Sequence, residues 1–307
     1  MTIDFAPLQG YTDAPYRRFH REIYGETVRY YYTPFIRVDK DGIRAKDIKD
    51  VSAGNNVGVR VIPQVIVNGI DEFNCLVEHL AGVGYKEIDV NMGCPFPLQV
   101  RRGRGAGMLS RTDTVSDVMC AIKSRRDISF SVKMRPGQND VSECFRLLPL
   151  INETPLRCVV MHSRLGIRQY KSDIDEETFY RFYCELEHPL VYNGDICSLD
   201  DIEAVKKRFP SLSGVMIGRG LLSRPSLALE YVAGKEMERD EMLSRLMILH
   251  DRLYAHYSSV LEGDSHLLVK MKTFWDYLEP TIGHRVYKAI NKSVNLTKYH
   301  TAISSIQ

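Results

Sequence analysis

No apolar run in the 307-residue chain approaches membrane-spanning length. The N-terminus, Met1-Thr2-Ile3-Asp4-Phe5-Ala6-Pro7, has neither a basic n-region nor an apolar h-region. No signal peptide and no membrane association are therefore expected. Low-complexity linkers and short-period repeats are also lacking, which argues against repeat architectures. Neither sign of charge dominates. Lys and Arg number 41 against 39 Asp and Glu, a formal net charge of +2, so bulk charge announces no nucleic-acid partner. The seven cysteines contain no CxxC pair, which leaves zinc and dithiol readings without support, and no metal site is expected. An odd number of cysteines in a chain of this size points to reduced thiols in the cytoplasm. No GxGxxG follows a strand, so a separate dinucleotide domain is not expected.

What is present reads as an ordinary globular protein, 44% hydrophobic and 26% charged. Short β-rich runs alternate with helical patterns. Strands are predicted at Ile3–Ala6, Tyr30–Phe35, Arg60–Val65, Glu87–Val90, Phe130–Met134, Cys158–His162, Leu190–Tyr192 and Gly214–Ile217. Between them, Ile70–Val83, Thr114–Arg125, Val141–Ile151 and Leu199–Phe209 carry helical periodicity. Eight strands with intervening helices fit a closed (β/α)8 TIM barrel better than an open sheet. Past Ala233-Gly234 strand signals vanish. Glu236–Leu261, His266–Leu278 and the chain after Pro280 read as helices. The expected organisation is an α/β barrel over 1–234 and a small all-helical C-terminal domain over 235–307.

One stretch stands out. Asp89-Val90-Asn91-Met92-Gly93-Cys94-Pro95 puts a cysteine on a turn just past a strand, and a basic glycine-rich run, Arg101-Arg102-Gly103-Arg104-Gly105-Ala106-Gly107, follows. Barrels place chemistry at the C-terminal ends of their strands, and a thiol there can give or take a proton. A lone cysteine is more often a small buried hydrophobe. The flanking Gly93 and Pro95 and the basic loop set Cys94 apart from Cys75, Cys120, Cys144, Cys158, Cys184 and Cys197, which read as lying in helical or strand-like surroundings. Other polar signals collect at strand ends: Gln9 and Gly10, Gln64, Lys133 and Arg135, His162 and Arg164, Asn193-Gly194-Asp195, and Gly218-Arg219-Gly220. Alternation with Val132 and Met134 turns Lys133 to the opposite face, where a buried ammonium needs an anion or a hydrogen-bonding ring. The two glycine turns after the last strands could cradle a phosphate. Between Ser265 and Gln307, Lys270, Lys272, Arg285, Lys288, Lys292 and Lys298 outnumber Asp276 and Glu279. That excess reads either as a solvated face or as a phosphate-binding one.

Ala6-Pro7-Leu8-Gln9-Gly10-Tyr11-Thr12-Asp13-Ala14-Pro15-Tyr16-Arg17-Arg18-Phe19 resembles the opening signature of the tRNA-dihydrouridine synthases, and Asn91-Met92-Gly93-Cys94-Pro95 resembles their catalytic loop. Val132–Arg135, Met161–Arg164, Tyr192–Ile196 and Val215–Gly220 follow in family order, so the similarity spans roughly 5–230. The resemblance implies an FMN-dependent barrel with a helical RNA-binding domain, reduced by NADPH and acting on tRNA. It also implies site roles. Pro7, Leu8, Gln9, Gln64, Lys133, His162, Asn193, Gly194, Asp195, Gly218 and Arg219 would bind FMN. Asn91 would orient the uracil, and Arg164 and Tyr170 would line the nucleotide's path. Cys94 would protonate C5 after hydride passes from flavin N5 to uracil C6. Arg101, Arg102, Arg104, Lys270, Lys272, Lys288 and Lys292 would hold RNA phosphates. A monomer without a protein partner is expected.

Departures from the family pattern fall at Pro34, where glutamate is common, at Ser163 and Leu165, at Tyr170-Lys171-Ser172 and at Gly105–Met108. They bear on which uridine is reduced. Two other functions fit the same barrel. A flavin-dependent reductase of a free pyrimidine or enone would reduce free uracil and leave tRNA untouched. A non-catalytic RNA-binding module would be colourless.

Overall fold

The computed structural model describes residues 1–306. Eight parallel strands form its centre: β1 (Thr2–Phe5), β2 (Tyr30–Tyr32), β3 (Val61–Ile62 and Gln64–Val65), β4 (Glu87–Met92), β5 (Ser129–Met134), β6 (Leu156–His162), β7 (Leu190–Asn193) and β8 (Gly214–Ile217). Each pairs with its sequence neighbour, and β1 also pairs with β8, with Thr2 opposite Gly214. The ring closes at β3. Its first half pairs with β2 and its second with β4. Pro63 divides the two halves because it has no N–H to donate, yet its carbonyl still accepts from Asp89 at 2.9 Å.

β2 is shorter than the predicted Tyr30–Phe35. Pro34 cannot join the ladder, and the chain returns to it only where Ile36 bridges Val65. The loop beyond forms a small hairpin, Val38–Asp39 against Gly42–Ile43, which the sequence reading did not anticipate. β4 and β6 run longer than predicted. A register shift between Phe130 and Ser131 leaves Arg157 as an extra residue on β6. The bulge lets its guanidinium donate to the hydroxyl of Tyr32 at 2.9 Å.

The period-2 alternation divides the apolar residues into two sets. Outward residues such as Ile3, Phe5, Val90, Val132 and Val215 pack under the surrounding helices. Ala6, Tyr32, Ile62, Cys158, Val160, Val191 and Met216 fill the barrel interior. This inner plug is a packed layer rather than a pore, so a ligand can enter only at the rim.

From Arg239 onward every element is a helix: Arg239–Val260, Asp264–Trp275, Glu279–Ile282, His284–Lys292 and Leu296–Ile303. Their core centres on Trp275, which donates to the Tyr299 hydroxyl at 2.9 Å, with the buried His250 bonded to the same oxygen. The long helix lies along Ala14–Tyr24, the helix after β1. Arg245 there donates to the carbonyl of Ile23 at 2.9 Å. No helix among the described residues is long and apolar enough to cross a membrane.

Candidate functional site

The C-terminal ends of the strands surround a pocket of about 320 Å³. Cys94 lies on its wall. Two residues past β4 the chain must turn, and Asn91 makes the turn: its Oδ1 accepts from the amides of Gly93 (3.0 Å) and Cys94 (2.8 Å). The glycine-rich loop then folds back on this turn. The amide of Ala106 donates to the Cys94 carbonyl at 3.0 Å. Gly105 has φ +59°, and a Cβ there would sit 2.6 Å from the Cys94 carbonyl oxygen. Glycine is required at 105 by both conformation and space.

Asn91 is itself oriented from below. Its Nδ2 donates to Gln64 Oε1 at 2.7 Å, and Gln64 Nε2 donates to Asp89 Oδ2 at 2.7 Å. Ser131 donates to the other Asp89 oxygen at 2.6 Å. A carboxylate can only accept, so Gln64 must present its amide nitrogen to Asp89 and its oxygen to Asn91. That choice leaves the Asn91 oxygen facing the turn. Burial raises Asp89 to about 6. Burial also raises the Cys94 thiol above its ordinary value, against the opposing pull of the Phe96 amide, Arg135 and Lys133. Cys94 is therefore a protonated thiol at neutral pH.

Lys133 points into the barrel and donates to Asn193 Oδ1 at 2.8 Å, and Asn193 Nδ2 donates to the Met216 carbonyl at 2.7 Å. Burial lowers the Lys133 ammonium to about 8. His162 is pushed well below its usual value by burial and by Arg135, Lys133, Arg164 and Arg219, so its ring is neutral. Its Nδ1 is buried without a partner among the described residues. Pro7, Leu8, Gln9, Gln64 and Asn91 line the same pocket, as do Gly194, Asp195, Gly218 and Arg219. Among the described residues, the amides of Asp195, Ile196, Arg219 and Gly220 have no acceptor within the chain. Asp195 holds a positive φ of +46°. Arg164 and Arg219 neutralise its carboxylate and keep it below the usual carboxylate range.

Tyr170 stands at the mouth, half exposed. Arg135 and Arg219 lie 5.5 and 4.5 Å from its ring centroid, and His162 meets it edge-on. Arg135 has a larger part than its place at a strand end suggested. It donates to the carbonyl of Gly93 (2.9 Å) and to those of Arg164, Leu165 and Gln169 (3.0–3.2 Å), tying the cysteine turn to the Tyr170 loop. The alternation that turns Lys133 inward also turns Arg135 inward.

Several sequence readings need correction. Arg164 does not line the pocket. It is buried, and its guanidinium is spent on Asp195 and the Ser172 carbonyl. The side chain of Asn91 is committed to the cysteine turn and Gln64, which leaves its orientation of a uracil without a free polar group beyond one amide hydrogen. Arg104 is buried in a two-point pair with Glu72 and also donates to the Val38 carbonyl, so it is no surface phosphate contact. Lys270 is taken by Asp13 at 2.9 Å and by the Gly10 carbonyl at 3.1 Å, and Lys272 by the carbonyls of Asn291 and Ser293. Cys197 lies in neither helix nor strand but in the loop after β7, on the pocket's edge. Arg101, Arg102, Lys288 and Lys292 are exposed. Phe35 and Phe96 line the pocket, and the sequence reading passed over both.

Comparisons with known proteins bear on this site. A family model described as dihydrouridine synthase matches residues 4–305. The chain is 28% identical over 232 residues to tRNA-dihydrouridine(16) synthase of Neisseria meningitidis serogroup B, covering 74% of this chain and 69% of that one. A probable tRNA-dihydrouridine synthase of Helicobacter pylori is 25% identical over 98% of this chain and 90% of its own. A tRNA-dihydrouridine(47) synthase-like protein of Xenopus tropicalis is 31% identical over 47% of this chain, but the match spans only 22% of that longer protein. Among solved structures, morphinone reductase in complex with tetrahydroNAD superposes with a TM-score of 0.55 at 10% identity, over 77% of this chain and 87% of that one. The old yellow enzyme from Trypanosoma cruzi gives 0.54 at 11% identity, over 80% and 92%. At such low identity these two speak for the barrel alone.

Proposed function

Because the chain belongs to the dihydrouridine synthase family, we propose that it reduces specific uridines of tRNA to 5,6-dihydrouridine, with FMN as cofactor and NADPH as the reductant that reloads it. The observation that carries this reading is the place of Cys94, whose amide and carbonyl are held by Asn91 and Ala106 on the wall of a pocket that His162 also lines with an Nδ1 unpartnered among the described residues.

The pocket fits FMN on its own chemistry. The half-buried Lys133 ammonium has one hydrogen-bond acceptor among the described residues, Asn193, and is suited to the electron-rich edge of a flavin ring. The His162 Nδ1 can take part in a hydrogen bond that the protein does not supply. Unpartnered amides in the loops after β7 and β8 suit a phosphate, the usual task of those loops in this fold. Arg219 adds charge, while Asp195 contributes through its backbone because its carboxylate is already paired.

Bound FMN supplies the hydride. Uracil accepts it at C6 because the C5=C6 bond is conjugated to the C4 carbonyl, and negative charge then gathers at C5 and O4. Cys94 donates its proton to C5 as a general acid. The raised thiol pKa keeps that proton in place until it is needed. A stacked uridine cannot reach a barrel rim, so it must be extruded into the pocket. Residues 1–234 carry the chemistry and 235–307 contact the RNA, in a monomer working in the cytoplasm. The seven cysteines are all unpaired, as suits a reducing compartment.

Single-turnover assays on tRNA lacking dihydrouridine test this reading. In Cys94→Ala, NADPH should still bleach the yellow flavin, because that half-reaction needs no thiol. Dihydrouridine formation should fall on the order of 10²–10⁴-fold. Near-normal product from a well-folded Cys94→Ala protein would remove the thiol from the chemistry.

A further inference from the structure

Only three large aromatic side chains among the described residues are mostly in water: Phe96 (58% exposed), Tyr170 (50%) and Tyr180 (55%). Two of the three lie on the rim of the same pocket. Tyr170 is engaged there with Arg135, Arg219 and His162. Phe96 has no ring or cation partner among the described residues, although its backbone is held on both sides. Its amide is directed at the Cys94 sulfur. Its carbonyl accepts from Gln99 and Val100 at 2.9 and 3.0 Å to begin the short helix Pro97–Arg101. The fold therefore holds the backbone beneath a phenyl ring that stays mostly in water, outside the hydrophobic core.

The surroundings point to one kind of occupant. Leu98, two residues on, is also exposed. Arg101 and Arg102 follow on the surface, and the carboxylate nearest Arg102 is that of Asp39, 3.8 Å away. An apolar ring beside exposed guanidinium groups matches a single-stranded nucleic acid, in which flat bases alternate with phosphates. Two residues span at most about 7 Å, so Phe96 lies within reach of a nucleotide next to whatever base reaches Cys94. We propose that Phe96 is a stacking platform for the RNA base adjacent to the uridine drawn into the pocket. The platform replaces the stacking that this neighbour loses on extrusion and so helps to set which sequence context is accepted. The inference rests on the tRNA-reducing function proposed above.

The test uses the full-length holoenzyme and tRNA lacking dihydrouridine. Phe96→Trp places an indole on the rim, against a background of the single buried Trp275. Its emission should be quenched as tRNA saturates, while wild-type emission should not. Phe96→Ala should lower kcat/KM for tRNA roughly 5- to 150-fold, the range for one base–aromatic stack. FMN content and thermal midpoint should stay at wild-type values. Phe96→Tyr should restore turnover, and Phe96→Leu, apolar but without a π face, should not. Unquenched Phe96→Trp with tRNA bound, a fully active Phe96→Leu, or loss of FMN in Phe96→Ala would each overturn the platform. Persistent quenching in an enzyme that forms no dihydrouridine would instead overturn the proposed reaction and leave the platform standing. A tRNA that does not bind the wild type would overturn both.

Discussion

Asp89 lies wholly out of water one layer below Lys133, and both its oxygens are used, by Ser131 and Gln64. Its charge has a cost that follows pH. The folded carboxyl titrates at about 6 against an ordinary value of 3.8. Between those values the folded chain holds the proton more tightly than the unfolded one. The contribution of Asp89 to stability is thus complete below about pH 4 and is lost as pH rises to about 6, a change of about 3 kcal/mol. Asp89→Asn keeps an acceptor for Gln64 and removes the titration. Urea melts of the two proteins should show wild type losing stability relative to the variant across this window. A difference that does not vary with pH would mean that Asp89 is not titrating there. The same variant probes the chain from Gln64 through Asn91 to the Cys94 turn, because a weaker acceptor relaxes the orientation of both amides.

At the scale of elements, the loop after β1 joins the two halves of the chain. Leu8 and Gln9 face the pocket. A few residues on, Asp13 accepts from the Tyr257 hydroxyl at 2.7 Å and pairs with Lys270. Tyr11 donates to Asp276 at 2.9 Å. The C-terminal helices thus hold a wall of the proposed cofactor site. Lys270→Met would break an ion pair and a hydrogen bond to Gly10, leaving Asp13 partly buried with less compensation, at a cost of about 1–3 kcal/mol. Expected results are a lower thermal midpoint and faster FMN loss, with the salt dependence of tRNA binding unchanged. A changed salt slope with normal FMN retention would return Lys270 to the RNA-contact role that its sequence position suggested.

Across the whole molecule, charge sorts into spent and available groups. Arg104, Arg164, Lys270 and Lys272 hold the fold together. Arg101, Lys288 and Lys292 are exposed and carry no ion pair among the described residues. Each phosphate contact adds roughly 0.7–0.9 to the logarithmic salt slope of RNA binding. Replacing these three with Ala together should therefore flatten the slope by about 2–3 while FMN content stays constant. An unaltered slope, measured by filter binding between low and moderate salt, would mean that these charges only solvate the surface.

The barrel and its rim were legible in the sequence because their signals are local. Strand alternation alone turns Lys133 inward, and Gly93-Cys94-Pro95 alone sets a thiol on a turn past β4. Pro34 and Pro63 blurred the strand limits around β2 and β3, since a missing N–H breaks a ladder without moving the chain out of the sheet. Only the tertiary structure decided what the long charged side chains do. An arginine or lysine can meet a partner far away in sequence, as Arg104 meets Glu72 and Lys270 meets Asp13, and no pattern in the surrounding residues reveals it. The same holds for Phe96. Local sequence makes it one more apolar residue after a proline, and only the packed structure shows that no other part of the chain covers its ring at the pocket rim. Residue type and spacing determined which chemistry is available here, and long-range packing decided which groups remain free to perform it.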